Sequence, residues 1–289
     1  MPDSCPTDPP QGRASRRPTT SVIEGVRSGT AHRGKSAGRS GYTAVGAGTM
    51  KLSFVIPAHD EEQLLGTTLA AVDEAARCTG EPFEVIVVDD ASSDATARIA
   101  REAGARIVRV EARQIAAARN AGAAVAGGEA LLFVDADTIV GGAVVRAAVE
   151  ALRSGAVGGG AAVRFDEPPP RWARILLAFY LWLNRRLRLA SGCFLYCTRE
   201  AFEAVGGFDP TLFAAEEIYL SRALGRRGPF RVLRHTVTTS GRKLRAHSAG
   251  QVLGTLTRLT LTGRRGLRDR GHLSFWYGPR PPDRRRGAR

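Results

Sequence analysis

At 289 residues with a hydrophobic fraction of 43%, the chain is long enough to bury a core in one large domain or two small ones. Its formal net charge of +14 is concentrated at the ends: residues 1–49 carry +4, residues 258–289 carry +8, and residues 50–257 carry only +2. Because the body is nearly neutral, the total charge gives no support to a nucleic-acid-binding protein.

The first 49 residues differ in composition from the rest of the chain. They are rich in Pro, Gly, Ser, Thr and Arg, show no sustained apolar period, and contain no apolar run of the kind a secretory signal needs. We expect a disordered arm, either dispensable or the product of a misassigned start codon, because Met50 opens directly into the strand-like run KLSFVIP. At the other end, residues 266–289 are expected to form a basic tail.

The cysteines indicate a reducing compartment rather than a metal site. Cys5, Cys78, Cys193 and Cys197 show none of the paired spacings of zinc ligands. We expect small core residues, with Cys193 and Cys197 on one strand, in a cytoplasmic protein.

Short apolar runs alternate with helical patterns from residue 52 onward. The predicted strands are residues 52–56, 84–88, 105–110 and 130–134. The predicted helices are residues 61–78, 94–103 and 114–126. Apolar runs that are continuous rather than alternating, and that are separated by helices, indicate a mostly parallel, Rossmann-like α/β sheet with helices on both faces. Ligands of such sheets bind just beyond the carboxyl ends of the strands.

Acidic segments follow three of these strands. PAHDEE follows the first strand, DDASSDAT the second and DADT the fourth, so we expect five or more carboxylates along one edge of the sheet. The sequence has neither the glycine-rich phosphate loops of dinucleotide- and ATP-binding folds nor the nucleophile elbow of a hydrolase. An acidic edge that binds phosphate needs a cation, and Mg²⁺ or Mn²⁺ meets that need.

Two of these acids, Asp135 and Asp137, directly follow the apolar run ALLFV with one residue between them. Ionised carboxylates at the rim of an apolar core are costly unless their charge is offset. Their spacing lets both converge on one point, which indicates a divalent cation.

Five segments resemble, in order and in approximate spacing, the motifs of the family 2 glycosyltransferases. They are FVIPAHDEE, VIVVDDASSDAT, AAARNAGAAVAGGEALLFVDADT, VGGFDP and AEEIYLSRAL, within about residues 51–235. The resemblance implies a GT-A type fold over residues 50–265, with a nucleotide-sugar-binding half at 50–140 and a mixed acceptor half at 141–265. It also implies transfer of a hexose from a nucleoside-diphosphate sugar, with UDP favoured, to an acceptor hydroxyl.

The resemblance assigns the acids at the sheet edge. Asp135 and Asp137 correspond to the D-x-D pair that holds the cation bridging the donor's diphosphate. Asp137 is the expected direct ligand, and Asp135 is also expected to hold the ribose. Asp90 corresponds to the carboxylate that accepts a hydrogen bond from the base. Asp94 is instead expected to cap the next helix through a backbone N–H.

The remaining nucleotide contacts are also assigned by resemblance. Pro57, His59 and Glu61 occupy positions that line the base and ribose, although His59 also fits an ordinary loop histidine. Arg119 lies where the family often has a basic residue near the nucleotide, with a solvated helix face as the alternative. Arg242 belongs to the basic loop TTSGRKLRAHSAG, which in several members covers the diphosphate; a solvated turn is the alternative.

The segment FAAEEIYLSRAL resembles the motif that carries the catalytic base. Glu217 occupies the second acidic position, where aspartate is more usual, and Glu216 is the fallback. An inverting transfer needs one carboxylate to take the proton of the acceptor hydroxyl. The alternative is a pair of surface charges that match the dipole of a helix N-terminus.

Residues 171–189 bear on the acceptor. Nine uncharged residues, 175–183, lie between arginines, too few to span a bilayer. Two interpretations stay open: a helix in the membrane interface, which would place a lipid-linked acceptor at the inner face of the cell membrane, or a buried helix between the two halves.

The sequence leaves a catalytically inactive or purely nucleotide-sugar-binding relative and a sugar nucleotidyltransferase as alternatives to the transferase. Nucleic acid is not an expected partner, because the predicted ligand edge is acidic. The donor sugar, the acceptor and the oligomeric state are not set by any motif.

Overall fold

The computed structural model describes residues 48–168 and 171–242, together with residues 250–251, 254, 262 and 264–273. These residues belong to one compact unit, residues 42–289. The predicted N-terminal arm therefore lies almost entirely outside the described residues.

The residues that the structure describes form eight strands and eight α-helices. The strands are β1 (Leu52–Ala58), β2 (Phe83–Asp90), β3 (Arg106–Val110), β4 (Ala130–Val134), β5 (Thr138–Ile139), β6 (Gly158–Phe165), β7 (Phe194–Thr198) and β8 (Phe230–Thr239). The helices among the described residues are α1 (Leu65–Arg77), α2 (Thr96–Glu102), α3 (Ile115–Val125), α4 (Gly142–Arg153), α5 (Arg171–Arg186), α6 (Arg199–Ala204), α7 (Glu216–Gly225) and α8 (Arg264–Leu267). The four predicted strands and three predicted helices are all present.

All eight strands join one sheet in the order β3-β2-β1-β4-β7-β6-β8-β5. The first four are parallel neighbours, whereas β7 runs antiparallel to both β4 and β6. The sheet is therefore mixed beyond β4, and the predicted mostly parallel α/β architecture is confirmed. Since β4 pairs with β7, a single sheet runs through both predicted halves.

The core lies on both faces of the sheet, because side chains of the central strands β1 and β4 are buried on both sides. In β1, Phe54 and Ile56 pack in the apolar cluster with α1 and α4, whereas Val55 packs in the cluster on the opposite face. Helix α3 lies very close to that second face. A Cβ placed at Gly122 would overlap the side chain of Val55, so only glycine fits there.

The cysteines agree with the expected core thiols. Cys193 and Cys197 are buried and form no disulfide, and Cys78 is half-buried. Cys197 lies on β7, whereas Cys193 immediately precedes that strand rather than lying on it.

The start of the predicted basic tail is packed against the domain. The carbonyl of Leu267 accepts a hydrogen bond from the N–H of Phe213 at 2.8 Å, and Leu273 is fully buried. Residues 266–273 are thus held against the acceptor half, because an apolar side chain there completes the core.

Helix α5 covers most of the segment predicted at 171–189. Two of its described side chains, Phe179 and Trp182, are more than half exposed, so the interpretation as a buried helix is wrong for this face. Among the described residues, no helix is long and apolar enough to cross a bilayer.

Candidate active site

The loops after β1 and β2 are joined by their own acidic side chains. The Asp60 carboxylate accepts the N–H of Ser93 at 2.7 Å, and the Glu62 carboxylate accepts the N–H of Ala95 at 3.1 Å. The Asp94 carboxylate accepts the N–H of Glu62 at 3.0 Å. These acids satisfy backbone donors, so only part of the predicted acidic edge is left for a ligand. The number of carboxylates available to a ligand at this edge is therefore smaller than the number of acids that the sequence places there.

Asp94 acts close to its predicted capping role. The N-cap position of α2 is Ala95, one residue later than expected. The Asp94 carboxylate nevertheless accepts the N–H of Thr96 at 2.9 Å, so it satisfies one of the free backbone donors at the helix start.

Asp90 ties the end of β2 to the start of α3. One carboxylate oxygen accepts the N–H of Arg113 at 2.7 Å and the other accepts the N–H of Gln114 at 2.9 Å, and the residue is 5% exposed. Each oxygen can accept a further hydrogen bond, so contact with the base stays a prediction.

His59 and Pro57 stand at the carboxyl end of β1. The His59 Nε2 atom lies 2.8 Å from an Nη atom of Arg113, so a neutral ring there accepts a hydrogen bond from the guanidinium. The Nδ1 atom is buried and has no partner among the residues that the structure describes. His59 thus links the end of β1 to the loop before α3 through its hydrogen bond with Arg113.

Arg119 is buried at the centre of the site. It is 1% exposed, which rules out the solvated helix face. Its guanidinium donates to Asp135 Oδ1 at 2.7 Å, to Glu216 Oε1 at 2.9 Å and to the carbonyl of Gly192 at 2.7 Å. Burial works against its charge, but the charges of Asp135 and Glu216 prevail and raise the pKa of Arg119. One guanidinium thus joins the D-x-D motif to the predicted base motif.

Two side chains, one within α3 and one directly before it, form hydrogen bonds with the segment that leads to α7. The Asn120 amide exchanges two hydrogen bonds with the backbone of Phe208, at 2.8 and 3.0 Å. The Gln114 amide donates to the carbonyl of Leu212 at 3.0 Å. Neither Asn120 nor Gln114 was predicted to be a site residue, although Asn120 directly follows Arg119 in the segment AAARNAGAAVAGGEALLFVDADT. Both position the acceptor half.

Glu216 and Glu217 open α7 in different environments. Glu216 is 5% exposed and ion-paired with Arg119, so the alternative of two surface charges is wrong. Glu217 keeps part of its surface open, and its carboxyl carbon would lie 3.5 Å from a Cβ placed at Gly192. Burial raises the pKa of Glu217 to about 8, and the charge of Glu216 adds to the shift. Of the pair, Glu217 is the more exposed.

Arg242 joins two other predicted site residues. Its Nη2 atom lies 2.6 and 2.7 Å from the two carboxylate oxygens of Glu61 and 3.3 Å from Asp137 Oδ2. The Thr239 hydroxyl lies 3.3 Å from Asp137 Oδ1. The interpretation of Arg242 as a solvated basic turn is therefore wrong. The other cations of this loop, from Lys243 onward, lie outside the described residues.

The two acids of the D-x-D motif fit a divalent cation that is shared with a substrate. The described residues contain no group of three or more His, Cys, Asp or Glu side chains that could hold a metal unaided. Mg²⁺ typically takes one or two protein carboxylates and completes its shell with water and substrate phosphates. Asp135 and Asp137 supply that number of carboxylates, with side chains 27% and 13% exposed.

Backbone strain is concentrated around the same loops. Four non-glycine residues there have left-handed φ angles: Asp60 (49°), Ala91 (55°), Arg113 (49°) and Ala215 (61°). Such conformations cost on the order of 1–3 kcal/mol each and persist only where the surroundings enforce them. Asp60 and Ala91 follow β1 and β2, whereas Arg113 and Ala215 precede α3 and α7. These left-handed residues turn the chain into or out of the segments that carry the site.

This arrangement of strands and loops is the GT-A architecture of glycosyltransferases, as solved structures show. A mannosyltransferase from Pyrobaculum calidifontis, in complex with GDP-Man and Mn²⁺, matches at a TM-score of 0.54 and 22% identity, covering 73% of this chain and 65% of that one. Glucosyl-3-phosphoglycerate synthase from Mycobacterium tuberculosis, solved with Mn²⁺, UDP and glucosyl-3-phosphoglycerate, matches at 0.52 and 24% identity, covering 77% and 82%. At these identities the likeness concerns the fold.

The sequence identifies the family. Residues 53–206 match the model of Glycosyl transferase family 2, and the chain belongs to this family. A third solved structure, S. aureus TarS residues 1–349, matches at a TM-score of 0.52 and 17% identity, covering 74% of this chain and 66% of that one.

Two curated proteins resemble shorter parts of the chain. Validoxylamine A glucosyltransferase from Streptomyces hygroscopicus subsp. limoneus is 35% identical over 109 residues, which are 35% of this chain and 23% of that protein. A TPR repeat-containing protein of Synechococcus elongatus is 37% identical over 94 residues, which are 32% of this chain and 22% of that protein. The matches span about a quarter of these relatives or less.

Proposed function

We propose that the protein transfers a hexose from a nucleoside-diphosphate sugar to an acceptor hydroxyl, with inversion at the anomeric carbon and with a divalent cation. The observation that carries this proposal is the cluster in which Arg119 joins Asp135 of the D-x-D motif to Glu216, with Glu217 next in the chain. It supports the proposal because glycosyl transfer needs a donor site and a base close together, and the two motifs proposed for these roles are joined by one guanidinium.

We propose that the donor binds at the carboxyl ends of β1, β2 and β4. Asp135 and Asp137 would hold Mg²⁺ or Mn²⁺, which when bound neutralises charge on the donor's diphosphate. We propose that Pro57, His59, Glu61 and Asp90 line the nucleotide, within a donor half at 50–140. UDP is our proposed nucleotide; TarS has been solved with UDP and UDP-GlcNAc, whereas the Pyrobaculum mannosyltransferase was solved with GDP-Man.

We propose that Arg242 contacts the diphosphate, and its position against Asp137 supports this. A guanidinium fork suits phosphate oxygens, which accept two of its N–H groups at once. When the diphosphate arrives, these oxygens compete with Glu61 for the same donors. Arg242 would then stabilise the leaving group from the acceptor-half side of the site.

Glu217 supplies the base in the acceptor half, residues 141–265. Its carboxylate takes the proton of the acceptor hydroxyl while that oxygen forms a bond to the anomeric carbon. The bond from the anomeric carbon to the diphosphate breaks, and the nucleoside diphosphate leaves with the electron pair. A single displacement of this kind inverts the configuration. Arg119 and Glu216 hold the start of α7 in place without contacting the reacting atoms.

An Asp137→Asn variant tests the donor site. It keeps the shape of the side chain but removes the charge that a cation needs, so affinity for a nucleoside-diphosphate sugar in Mn²⁺ is expected to fall by about tenfold or more. The measurement is titration calorimetry with UDP- and GDP-sugars in Mn²⁺ and in EDTA. For the wild-type protein, EDTA is expected to reproduce the loss.

Arg242→Gln is the comparison variant at the same site. It removes a phosphate-binding group but no metal ligand, so donor affinity is expected to fall while its dependence on Mn²⁺ persists. If EDTA leaves donor binding by the wild-type protein unchanged, the assignment of Asp137 to a metal site is wrong.

A further inference from the structure

Helix α5 exposes an aromatic pair to solvent. Phe179 and Trp182 are 58% and 59% exposed, and their rings stack with centroids 5.8 Å apart at an interplanar angle of 28°. Leu187, just beyond the helix, is 51% exposed. Clusters of large, exposed apolar side chains often mark interaction surfaces.

The exposed side chains form one continuous stripe. In α5 they are Arg174, Ala178, Phe179, Trp182, Arg185 and Arg186. At about 100° per residue, these six positions fall within an arc of about 140° on the helix. Asn184, which is 5% exposed, lies on the far side of the helix. The stripe therefore has a consistent orientation, outward from the domain.

The charged side chains of the helix and of the turn that follows it are all cationic. Residues 171–192 contain five arginines and no aspartate or glutamate. Arg185, Arg186 and Arg188 are all exposed. Aromatic side chains beside arginines, without acids, suit the boundary between headgroups and acyl chains of an anionic bilayer.

The stripe is connected to the catalytic centre by a short loop. The carbonyl of Gly192 accepts a hydrogen bond from Arg119, and the carbonyl of Cys193 accepts the N–H of Asp135 at 3.1 Å. Only residues 187–191 separate the end of α5 from these contacts. A surface bound to the stripe would therefore lie near the loop that carries Gly192, which lies beside Glu217.

We propose that the outward face of α5 docks on an anionic lipid bilayer. Phe179 and Trp182 insert at the headgroup boundary, and Arg185 and Arg186 contact the lipid phosphates. With respect to the acceptor the inference rests on the proposed function: a hydroxyl carried by a membrane-anchored lipid would be delivered beside Glu217. The docking itself rests only on α5.

Charge favours a bilayer over a second copy of the chain. A two-fold dimer through this stripe would bring the same patch of each copy together. Arginines would then face arginines with no acid in residues 171–192 to neutralise them. An anionic lipid surface provides the missing negative charge without needing a groove to receive it.

The test is co-sedimentation of the full-length protein with vesicles of phosphatidylcholine alone or mixed with phosphatidylglycerol. Binding is expected only to the mixed vesicles and is expected to weaken with added salt. The double variant Arg185→Gln/Arg186→Gln should reduce partitioning by about 30-fold, since each basic residue near an anionic surface contributes about 1 kcal/mol. Phe179→Ser/Trp182→Ser should lower it by at least about tenfold.

The control is Arg98→Gln/Arg101→Gln, which removes the same charge from the exposed surface of α2 and is expected to retain binding. Absence of wild-type binding to the mixed vesicles, or equal binding by all variants, would overturn the proposal. So would a light-scattering mass showing a dimer that the α5 variants dissociate. Donor affinity is measured without lipid, so failure of docking and failure of the proposed activity give different results.

Discussion

Replacing Glu217 with glutamine is expected to lower turnover by about 10²–10⁴-fold, the usual contribution of a general base. The variant keeps the size of the side chain and its position at the start of α7, so folding and donor affinity should remain close to wild type. An interaction needed only in the transition state reduces kcat rather than binding. Steady-state kinetics and calorimetry on the same preparation check both parts.

The pH dependence of turnover provides an independent measure of the same residue. Only the ionised carboxylate can accept a proton, and burial together with Glu216 raises the pKa of Glu217 to about 8. Turnover should therefore rise with pH through about 8 and level off above it, rather than rising near the ordinary glutamate range. This rise should disappear from the residual activity of Glu217→Gln.

The matched control is Glu203→Gln. Glu203 lies on α6 with its side chain 65% exposed, so the same chemical change there should leave turnover unchanged. Full activity in Glu217→Gln, or a product that retains the anomeric configuration of the donor, would remove Glu217 from the mechanism. Glu217→Asp should keep part of the activity, since the chemistry is preserved and only reach is lost.

Replacing Arg119 with methionine is expected to lower the free energy of unfolding by about 3–5 kcal/mol. Removal of one partner of a buried ion pair leaves the other charge buried and uncompensated. Here Glu216 would lose its counter-charge in a site where both side chains are 6% exposed or less. Urea unfolding followed by circular dichroism measures the change.

A double variant separates the ion pair from packing effects. In Arg119→Met/Glu216→Met no charge remains buried at this pair, so part of the lost stability should return. The control Arg98→Met breaks an exposed pair with Glu102 on α2, where both side chains are more than 60% exposed, and should cost less than about 1 kcal/mol. Equal destabilisation by Arg119→Met and Arg98→Met would contradict the buried role of Arg119.

The elements of the first half could be predicted because their signals are local. The runs that became β1 and β4 are mostly apolar without alternation, and both strands are buried on both faces, which is what a continuous run predicts. The position of Asp135 and Asp137 followed from the same pattern, since they come directly after β4. Local sequence thus located the D-x-D motif at the sheet edge.

The partners of these acids could not be predicted, because they come from distant parts of the chain. Arg119 is 97 residues from Glu216, and Arg242 is 181 residues from Glu61. No periodicity links positions so far apart; only the completed sheet brings them together. The two arginines also show how the rim carboxylates are accommodated: a guanidinium lies against each acid of the D-x-D motif.

Two structural acids were misread for a related reason. Asp60 and Glu62 have the same composition signal as ligand-binding carboxylates, yet each accepts a backbone N–H from the loop after β2. Asp94 was instead expected to accept a backbone N–H at the start of α2, and it does so. A turn that needs a hydrogen-bond acceptor and a site that needs a charge select the same residue types. Only the folded structure shows whether a given acid serves a turn or a binding site.

Release of nucleoside diphosphate is the measurement that tests glycosyl transfer most directly. The wild-type protein is incubated with a panel of UDP- and GDP-sugars in Mg²⁺ or Mn²⁺, and the products are separated by chromatography. We expect free nucleoside diphosphate from at least one donor, dependent on the cation, greatly reduced in Glu217→Gln and unchanged in Glu203→Gln. Release of pyrophosphate, or binding of a donor that is never cleaved in the presence of a hydroxyl acceptor panel, would contradict the assignment of this protein as a sugar transferase.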